Sequence, residues 1–239
     1  MVTREITSRA MHLTLVEQFA LCIGGRHVPI PPMAERVLAY LALANHPVAR
    51  MRLAGSLWPD CGDFSAAKRL RTVLWRLRQV DRSLVRICGE RLGLDPDVAM
   101  DVCELNDLAH RLVHAPDSES LDQVPLLIDR VELLPDWDEE WVVATRERYR
   151  LARLAALENA AHTLLDRQQP GPALIAALAV VQSEPLRESA RRIVMRVHLA
   201  QGNAVEAMRE RHRYRRLLRS EFGVEPSAEM EELLASCYR

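Results

Sequence analysis

Strand-like alternation of apolar and polar residues is confined to the first hundred residues of the chain, and this division limits the possible folds more than any other feature. Phe19, Leu21 and Ile23 alternate with small or polar residues, and Gly24-Gly25 supplies a tight turn before a returning strand. Beyond about residue 102, apolar residues recur only at helical spacing. The 239-residue chain is therefore predicted to join an α+β region to an all-α region.

The two regions carry charge of opposite sign. Residues 1–101 contain 14 basic and 10 acidic side chains, whereas 102–239 contains 18 basic and 23 acidic ones. A basic module followed by an acidic one indicates two domains with different partners. We predict a disordered tail over 1–11, a first domain over 12–102 and a second domain over 103–239.

Composition excludes several classes of protein. No apolar run approaches the roughly 18 residues that a membrane-spanning helix needs. The five cysteines are odd in number, lie far apart and include no CxxC pair, so neither a disulfide framework nor a cysteine zinc site is expected. The predicted location is the reducing cytoplasm, and no membrane partner is expected.

Three helices and a hairpin follow the first strands. A helical period begins near Ala34 and stops before Pro47, and a short second helix contains residues 53–57. A third helix is predicted over 65–80, and a second β-hairpin over 85–94. This order of strands, three helices and a closing hairpin fits a winged helix-turn-helix.

The third helix is the most informative segment of the chain. Its leucines Leu70, Leu74 and Leu77 fall on one stripe at about 100° per residue and are expected to pack on the other helices. The rest of its surface carries Lys68, Arg69, Arg71, Thr72, Trp75, Arg76 and Arg78. No acidic residue occurs between Ala66 and Val80. Such a helix fits the major groove of B-DNA, where arginine binds guanine and cations neutralise phosphates.

Neighbouring segments add cations where a winged helix meets DNA. Arg50 and Arg52 begin the second helix, whose N-terminus itself attracts phosphate, and Arg86 and Arg91 lie on the hairpin that would form the wing. The alternative is a merely solvated helix face, but such faces usually mix charges at i,i+4 spacing and this one does not. The predicted DNA-binding set is Lys68, Arg69, Arg71, Thr72, Trp75, Arg76, Arg78, Arg50, Arg52 and Arg91.

The all-α region reads as a series of helix pairs. Helices are predicted near 102–114, 120–134, 138–168, 172–182, 186–201, 204–222 and 227–236. Pairs joined by short turns stack as antiparallel hairpins, which predicts a tetratricopeptide-like helical domain. The repeat is weak, since Pro185 and Pro226 are 41 residues apart rather than the roughly 34 of that repeat.

Three stretches resemble one known family. Residues 38–80 (LAYLALANHPVARMRLAGSLWPDCGDFSAAKRLRTVLWRLRQV) resemble the OmpR-type winged helix of the Streptomyces antibiotic regulatory protein (SARP) family. That family has an LWP–G-D loop followed by LRxxLSRLR. Residues 133–158 (LLPDWDEEWVVATRERYRLARLAALE) and 217–234 (LLRSEFGVEPSAEMEELL) are similar to the first helix and the end of its bacterial transcriptional activation domain. The resemblance spans residues 13–234.

The resemblance implies a sequence-specific transcriptional activator of a secondary-metabolite (antibiotic) biosynthetic gene cluster. Such proteins bind promoter direct repeats as double-stranded DNA, side by side, which implies a homodimer on DNA. They recruit RNA polymerase through contacts with the sigma factor and core subunits. By position, the recognition-helix role falls on the cationic face of 65–80. Two positions depart from the family pattern: Trp75 stands where serine is usual, and Glu90 replaces the tyrosine of a GYRL wing.

Two other functions share these features. A helical-repeat protein-interaction adaptor would bind a protein or peptide, with the basic helix merely solvated. A repressor would have the same fold as an activator, because fold does not separate the two activities.

The remaining chemistry-bearing residues are interpreted as structural. His110 and His114 are four apart but lack a third ligand and the glutamate of HExxH, so no metal site is expected. The acidic residues within 136–140 are expected to favour a helix start rather than form a catalytic pair. Trp137 and Trp141 are expected to anchor the helical core, or else to offer a polymerase surface. With no phosphate-binding loop or nucleophile elbow, neither an enzyme nor a cofactor is expected.

Overall fold

The structure of the chain, a computed structural model, describes residues 10–235. Residues 1–9 of the predicted tail lie outside the described part, and Met11 already belongs to the first strand. Residue 236, the end of the last predicted helix, also lies outside it.

Short strands and longer helices make up the described residues. The strands are β1 (Met11–Thr14), β2 (Ala20–Ile23), β3 (Arg26–His27), β4 (Val48–Ala49), β5 (Val85–Cys88), β6 (Arg91–Leu94) and β7 (Val98–Met100). The helices are α1 (Pro32–Ala44), α2 (Arg50–Leu57), α3 (Asp63–Val80), α4 (Asp101–His114), α5 (Ser118–Asp122), α6 (Val124–Asp129), α7 (Glu140–Asp166), α8 (Pro170–Ser183), α9 (Glu188–Ala200), α10 (Ala204–Phe222) and α11 (Ala228–Ala235).

The described residues form two compact units that interleave along the chain. The first unit contains the residues up to Glu104 together with Val131–Tyr149. The second contains Leu105–Arg130 and the residues from Arg150 onward. The functional boundary predicted between residues 102 and 103 stays a prediction, and the compact units differ from it because Val131–Tyr149 returns to the first unit.

Two small sheets frame the first unit. One has the strand order β3-β2-β1-β7, with β1 antiparallel to β2 and parallel to β7. Gly24 and Gly25 form the β2–β3 turn with φ values of 58° and 75°, which glycine adopts without strain. The other sheet has the order β4-β6-β5 and forms the wing. The sequence did not predict β4 or β7, which are only two and three residues long.

Helices α1, α2 and α3 form the core between these sheets. Leu70, Leu74 and Leu77 of α3 are buried, as the helical period predicts, and α3 packs against α1 and α2. The side chains of Val37 and Leu53 complete this core with almost no exposed surface. Because the leucine stripe faces inward, the opposite face of α3 must point outward.

The position of the segment Val131–Tyr149 differs from the prediction for its two tryptophans. Trp137 and Trp141, expected in the helical core, pack instead within the first unit. The Trp137 ring stacks 6.0 Å from Phe19, and the Trp141 ring lies 5.0 Å from Tyr40. The segment is held by long-range contacts that leave no local sequence pattern, which is why helical spacing placed it in the second region.

The second unit is helical throughout its described residues. Helix α9 packs against α8 and α10, and α11 packs against α9 and α10. The single helix predicted over 120–134 is wrong: α5 ends at Asp122, and α6 begins at Val124 and ends at Asp129. Pro125 explains the break, because a residue without an N–H group is suited to the first turn of a new helix.

Candidate nucleic-acid interface

The outward face of α3 carries the predicted recognition residues. The helix begins at Asp63, two residues before the predicted start, and ends at Val80 as predicted. Its exposed side chains include Lys68, Arg69, Arg71, Thr72, Trp75, Arg76 and Arg78. At about 1.5 Å rise per residue, its 18 residues give a rod about 27 Å long.

The cations of α3 are unpaired within the part of the chain that the structure describes. No acidic side chain of residues 10–235 forms an ion pair with any of its five cations. Three arginines of α10 behave differently: Arg209 pairs with Glu206, and Arg215 and Arg219 both pair with Glu225. A helix that is merely solvated would be expected to resemble α10. The α3 face instead presents concentrated positive charge without an acidic partner among the described residues.

Two large aromatic side chains lie on the same face. Trp75 is 62% exposed and Phe64 is 80% exposed. Eleven residues at about 100° per residue make just over three full turns, so these two side chains lie along one line of the helix. Lys68, Arg71 and Thr72 line a shallow surface depression together with them. The Thr72 hydroxyl donates to the Lys68 carbonyl at 3.2 Å and retains acceptor capacity for an external donor.

A cleft separates the cationic face of α3 from the wing. Its volume is about 310 Å³, and it is lined by Arg50, Arg71, Leu74, Trp75, Arg78, Val85 and Ile87. The structure thus brings three predicted cations from two helices to one cleft. Arg69 and Arg76 lie on the flank of α3, about 100–120° around the helix from Trp75.

The wing is attached directly to the start of α2. Val48 pairs with Leu92 and Ala49 with Arg91, which makes the hairpin a three-stranded sheet. The backbone N–H of Arg50 donates to the Glu90 carbonyl at 3.1 Å. Arg91 donates from its guanidinium to the Pro47 carbonyl at 3.2 Å, so part of its donor capacity is used within the wing.

The remaining predicted site residues of α2 differ in exposure. Arg52 is exposed on α2, whereas Arg50 at the first position of that helix is half-buried. Phe64 and Ile87 were missed as interface residues, although both are exposed next to the cationic face. A helix start at Asp63 would have placed Phe64 in line with Trp75, so the helical period contained that signal.

The structure also locates the residues weighed for other chemistry. The rings of His110 and His114 are 4.3 Å apart on α4. Over residues 10–235, no group of three or more His, Cys, Asp or Glu side chains is arranged to hold a metal ion. In the same range no helix combines the length and apolarity needed to cross a bilayer.

Two comparisons bear on the family of this chain. Residues 125–236 match the model of the bacterial transcriptional activator domain. Over 214 residues, or 84% of this chain, the sequence is 29% identical to the regulatory protein AfsR of Streptomyces coelicolor. Both matches support the resemblance to the SARP family. The chain spans about a fifth of the length of that curated relative, since the match covers 21% of AfsR.

A solved structure supports the fold of this chain. The structure of Mycobacterium tuberculosis EmbR, in complex with a low-affinity phosphopeptide, superposes with a TM-score of 0.74. The two are 20% identical, and the superposition covers 96% of this chain and 65% of the EmbR chain. This likeness and the observed elements confirm the predicted fold class, a winged helix-turn-helix followed by a helical domain.

Proposed function

We propose that this chain is a member of the SARP family and a sequence-specific DNA-binding transcriptional activator, whose helix α3 lies in the major groove of promoter DNA. The observation that carries the proposal is the exposed, unpaired cationic face of α3 beside the wing. Cations without internal partners break no ion pair when they approach phosphates, and each neutralised phosphate releases counterions. The wing and the start of α2, fastened together through Arg50 and Glu90, would contact the flanking backbone.

The contacts divide into two classes with different roles. Arg50, Arg52 and Arg91 lie on α2 and the wing, where they would fix the position of the protein on the phosphates. Lys68, Arg71, Thr72, Trp75 and Arg78 lie on the central face of α3 and would meet base edges. Arg69 and Arg76 lie on the flank of α3 and would reach the backbone beside the groove. Phosphate contacts then supply most of the affinity, and the central face supplies the choice of sequence.

The finer parts of the proposal follow the family. The DNA-binding role belongs to residues 12–102, and contact with RNA polymerase belongs to 103–239. The protein binds promoter direct repeats as a homodimer on DNA, reaches the sigma factor and core subunits of RNA polymerase, and controls a secondary-metabolite cluster in the cytoplasm. It acts as a regulator rather than as an enzyme. The support is the match of residues 125–236 to the activator domain and the likeness to AfsR.

A double substitution of arginines on α3 tests DNA binding. Arg71→Ala with Arg76→Ala removes one central and one flanking cation from exposed positions, so the fold should persist while binding to promoter DNA is lost. The matched control is Arg209→Ala with Arg213→Ala, which removes two similarly exposed arginines from α10 (62% and 60% exposed side chains). Binding is measured by footprinting on promoters of the neighbouring genes, and folding by thermal unfolding.

Each alternative function gives a different result. If both double variants bind DNA as the wild type does, the recognition face is wrongly assigned. If no variant and no wild-type protein protects any duplex, the adaptor alternative is favoured. Transcription in vitro with purified polymerase separates an activator, which raises transcript yield from the protected promoter, from a repressor, which lowers it.

A further inference from the structure

Trp75 occupies the centre of the outward face of α3. At about 100° per residue, Lys68 lies about 20° from it, Arg71 about 40° to one side and Gln79 about 40° to the other. Its side chain is 62% exposed, although burying an indole is among the largest apolar gains available in folding. A large apolar side chain at the middle of a cationic face is therefore placed for contact with a partner rather than for the core of this unit.

The chemistry of an indole differs from that of the surrounding cations. Tryptophan has one N–H donor and no hydrogen-bond acceptor, and the rest of its surface is apolar. It gains little from phosphates, which the guanidinium groups of Arg69 and Arg76 on the flank of α3 can bind. At the centre of a helix in the major groove, the indole would therefore meet the edge of a base.

Among the bases, thymine matches this chemistry best. In the major groove thymine presents the O4 acceptor beside the C5-methyl group. Guanine presents two acceptors without an apolar group, cytosine presents a donor, and adenine presents an acceptor beside a donor. Only thymine offers both a hydrogen-bond acceptor for the indole N–H and an apolar group for the indole ring.

We propose that Trp75 is a specificity-determining residue that reads a thymine in each half-site of the operator. The indole packs against the C5-methyl group, and Nε1–H donates to O4. This inference rests on the proposed function, because it requires α3 to lie in the major groove. It adds a chemical feature of the operator, a methyl-bearing pyrimidine opposite the centre of α3.

The first experiment compares the sequences that variants select from random duplex DNA. The wild type is expected to enrich sites with an invariant T·A pair at one position of each half-site, and Trp75→Ala is expected to lose the preference at that position alone. Phe222→Ala removes an aromatic side chain of nearly equal exposure, 63%, from α10 in the second unit and should select the wild-type site. Thermal unfolding of all variants checks that each is folded.

The second experiment separates the methyl contact from the hydrogen bond. Replacing the selected thymine by deoxyuridine removes only the methyl group, which should weaken wild-type binding about 4-fold, the effect of one buried methyl. The same replacement should leave the affinity of Trp75→Ala unchanged. Trp75→Phe keeps an apolar ring without the donor, so it should remain sensitive to deoxyuridine while its discrimination between thymine and 5-methylcytosine falls.

The outcomes distinguish this inference from the proposed function. If the wild type enriches a site and Trp75→Ala enriches the same site with the same thymine, Trp75 does not read that base and the inference is overturned alone. The inference is also overturned if replacing thymine by deoxyuridine weakens the binding of the wild type and of Trp75→Ala by the same factor. If neither protein enriches any sequence, the proposed function is wrong, and the inference about Trp75, which depends on it, is wrong as well.

Discussion

The ring of Trp141 lies 5.0 Å from the ring of Tyr40, tilted by 56°, although the two residues are a hundred positions apart in the sequence. Tyr40 belongs to α1 of the winged helix, and its hydroxyl is 3.2 Å from the Ser56 hydroxyl of α2. Trp141 lies within the residues that match the bacterial transcriptional activator domain. The compact first unit is thus completed by a segment that family boundaries assign to the following domain.

Removing the Trp141 ring should weaken the first unit. Trp141→Ala is expected to lower the free energy of unfolding by roughly 3 kcal/mol, because a large aromatic side chain and its contact with Tyr40 are lost. The measurement is urea unfolding. Val143→Ala, at a 48% exposed position two residues away, serves as the control and should change stability by less than about 0.5 kcal/mol. Equal losses in both variants would show that the ring does not stabilise the unit.

The salt dependence of DNA affinity should show how many phosphates the cationic face of α3 contacts. The slope of log affinity against log salt concentration is about −0.9 for each phosphate neutralised. Arg69→Ala combined with Arg76→Ala, which removes the two flanking cations of α3, is expected to make the slope less steep by about 1.8 on nonspecific duplex DNA, if each arginine binds one phosphate. Arg209→Ala with Arg213→Ala should keep the wild-type slope. A wild-type slope near zero would contradict electrostatic binding altogether.

A buried ion pair in the second unit should be far more important for stability than exposed pairs. Arg191 pairs with Glu210, with 9% and 6% of the two side chains exposed, and it also donates to the Pro185 carbonyl at 2.7 Å. Arg191→Met leaves the buried Glu210 charge with only the exposed Arg213, at 3.3 Å, as a partner, and is expected to cost about 3 kcal/mol.

The exposed pair of Arg209 with Glu206 supplies the control for that prediction. Arg209→Met should cost no more than about 1 kcal/mol, since water screens this pair. Replacing both buried partners, with Arg191→Met and Glu210→Leu, should recover much of the loss, because no buried charge remains and Arg213, which loses Glu210, is exposed to water. Chemical unfolding of the four proteins gives the comparison, and a double variant less stable than Arg191→Met would count against this account of the pair.

His162 should make the stability of the second unit depend on pH. Burial lowers the pKa of its imidazole below the ordinary value, and the positive charge of Arg196 acts in the same direction, against Glu158 and Asp166. The unfolded chain therefore takes up the proton more readily than the folded one. The free energy of unfolding should fall as the pH drops through the unfolded pKa of about 6.5.

A substitution of His162 separates its contribution to the pH dependence of stability from the contributions of the other histidines. His162→Gln cannot titrate, so its unfolding midpoint in urea should fall less between pH 7.5 and pH 5.5 than that of the wild type. His46→Gln, at an exposed loop position of the first unit, should keep the wild-type dependence. An identical pH dependence in His162→Gln and the wild type would show that burial of this ring does not affect stability.

Local patterns in the sequence determined the helices and the cationic face. Leu70, Leu74 and Leu77 recur at helical spacing, and this alone sends Lys68, Arg71 and Trp75 to the opposite side of α3, where the structure has them. The same period predicted α10 with both of its ends at the observed residues. These features depend on neighbours within a few positions, so a short stretch of chain contains all the information they need.

Only the tertiary structure decided what completes the first unit. The two-residue strand β4 is too short to show alternation, and its pairing with β6 depends on a hairpin more than forty positions away. The segment Val131–Tyr149 is fastened by the Glu17 carboxylate, which accepts hydrogen bonds from the backbone N–H groups of Val131 and Glu132. A hydrogen bond to a backbone group places no demand on the residue type at that position, and a contact across the chain creates no period, so neither leaves a mark that the sequence alone could show.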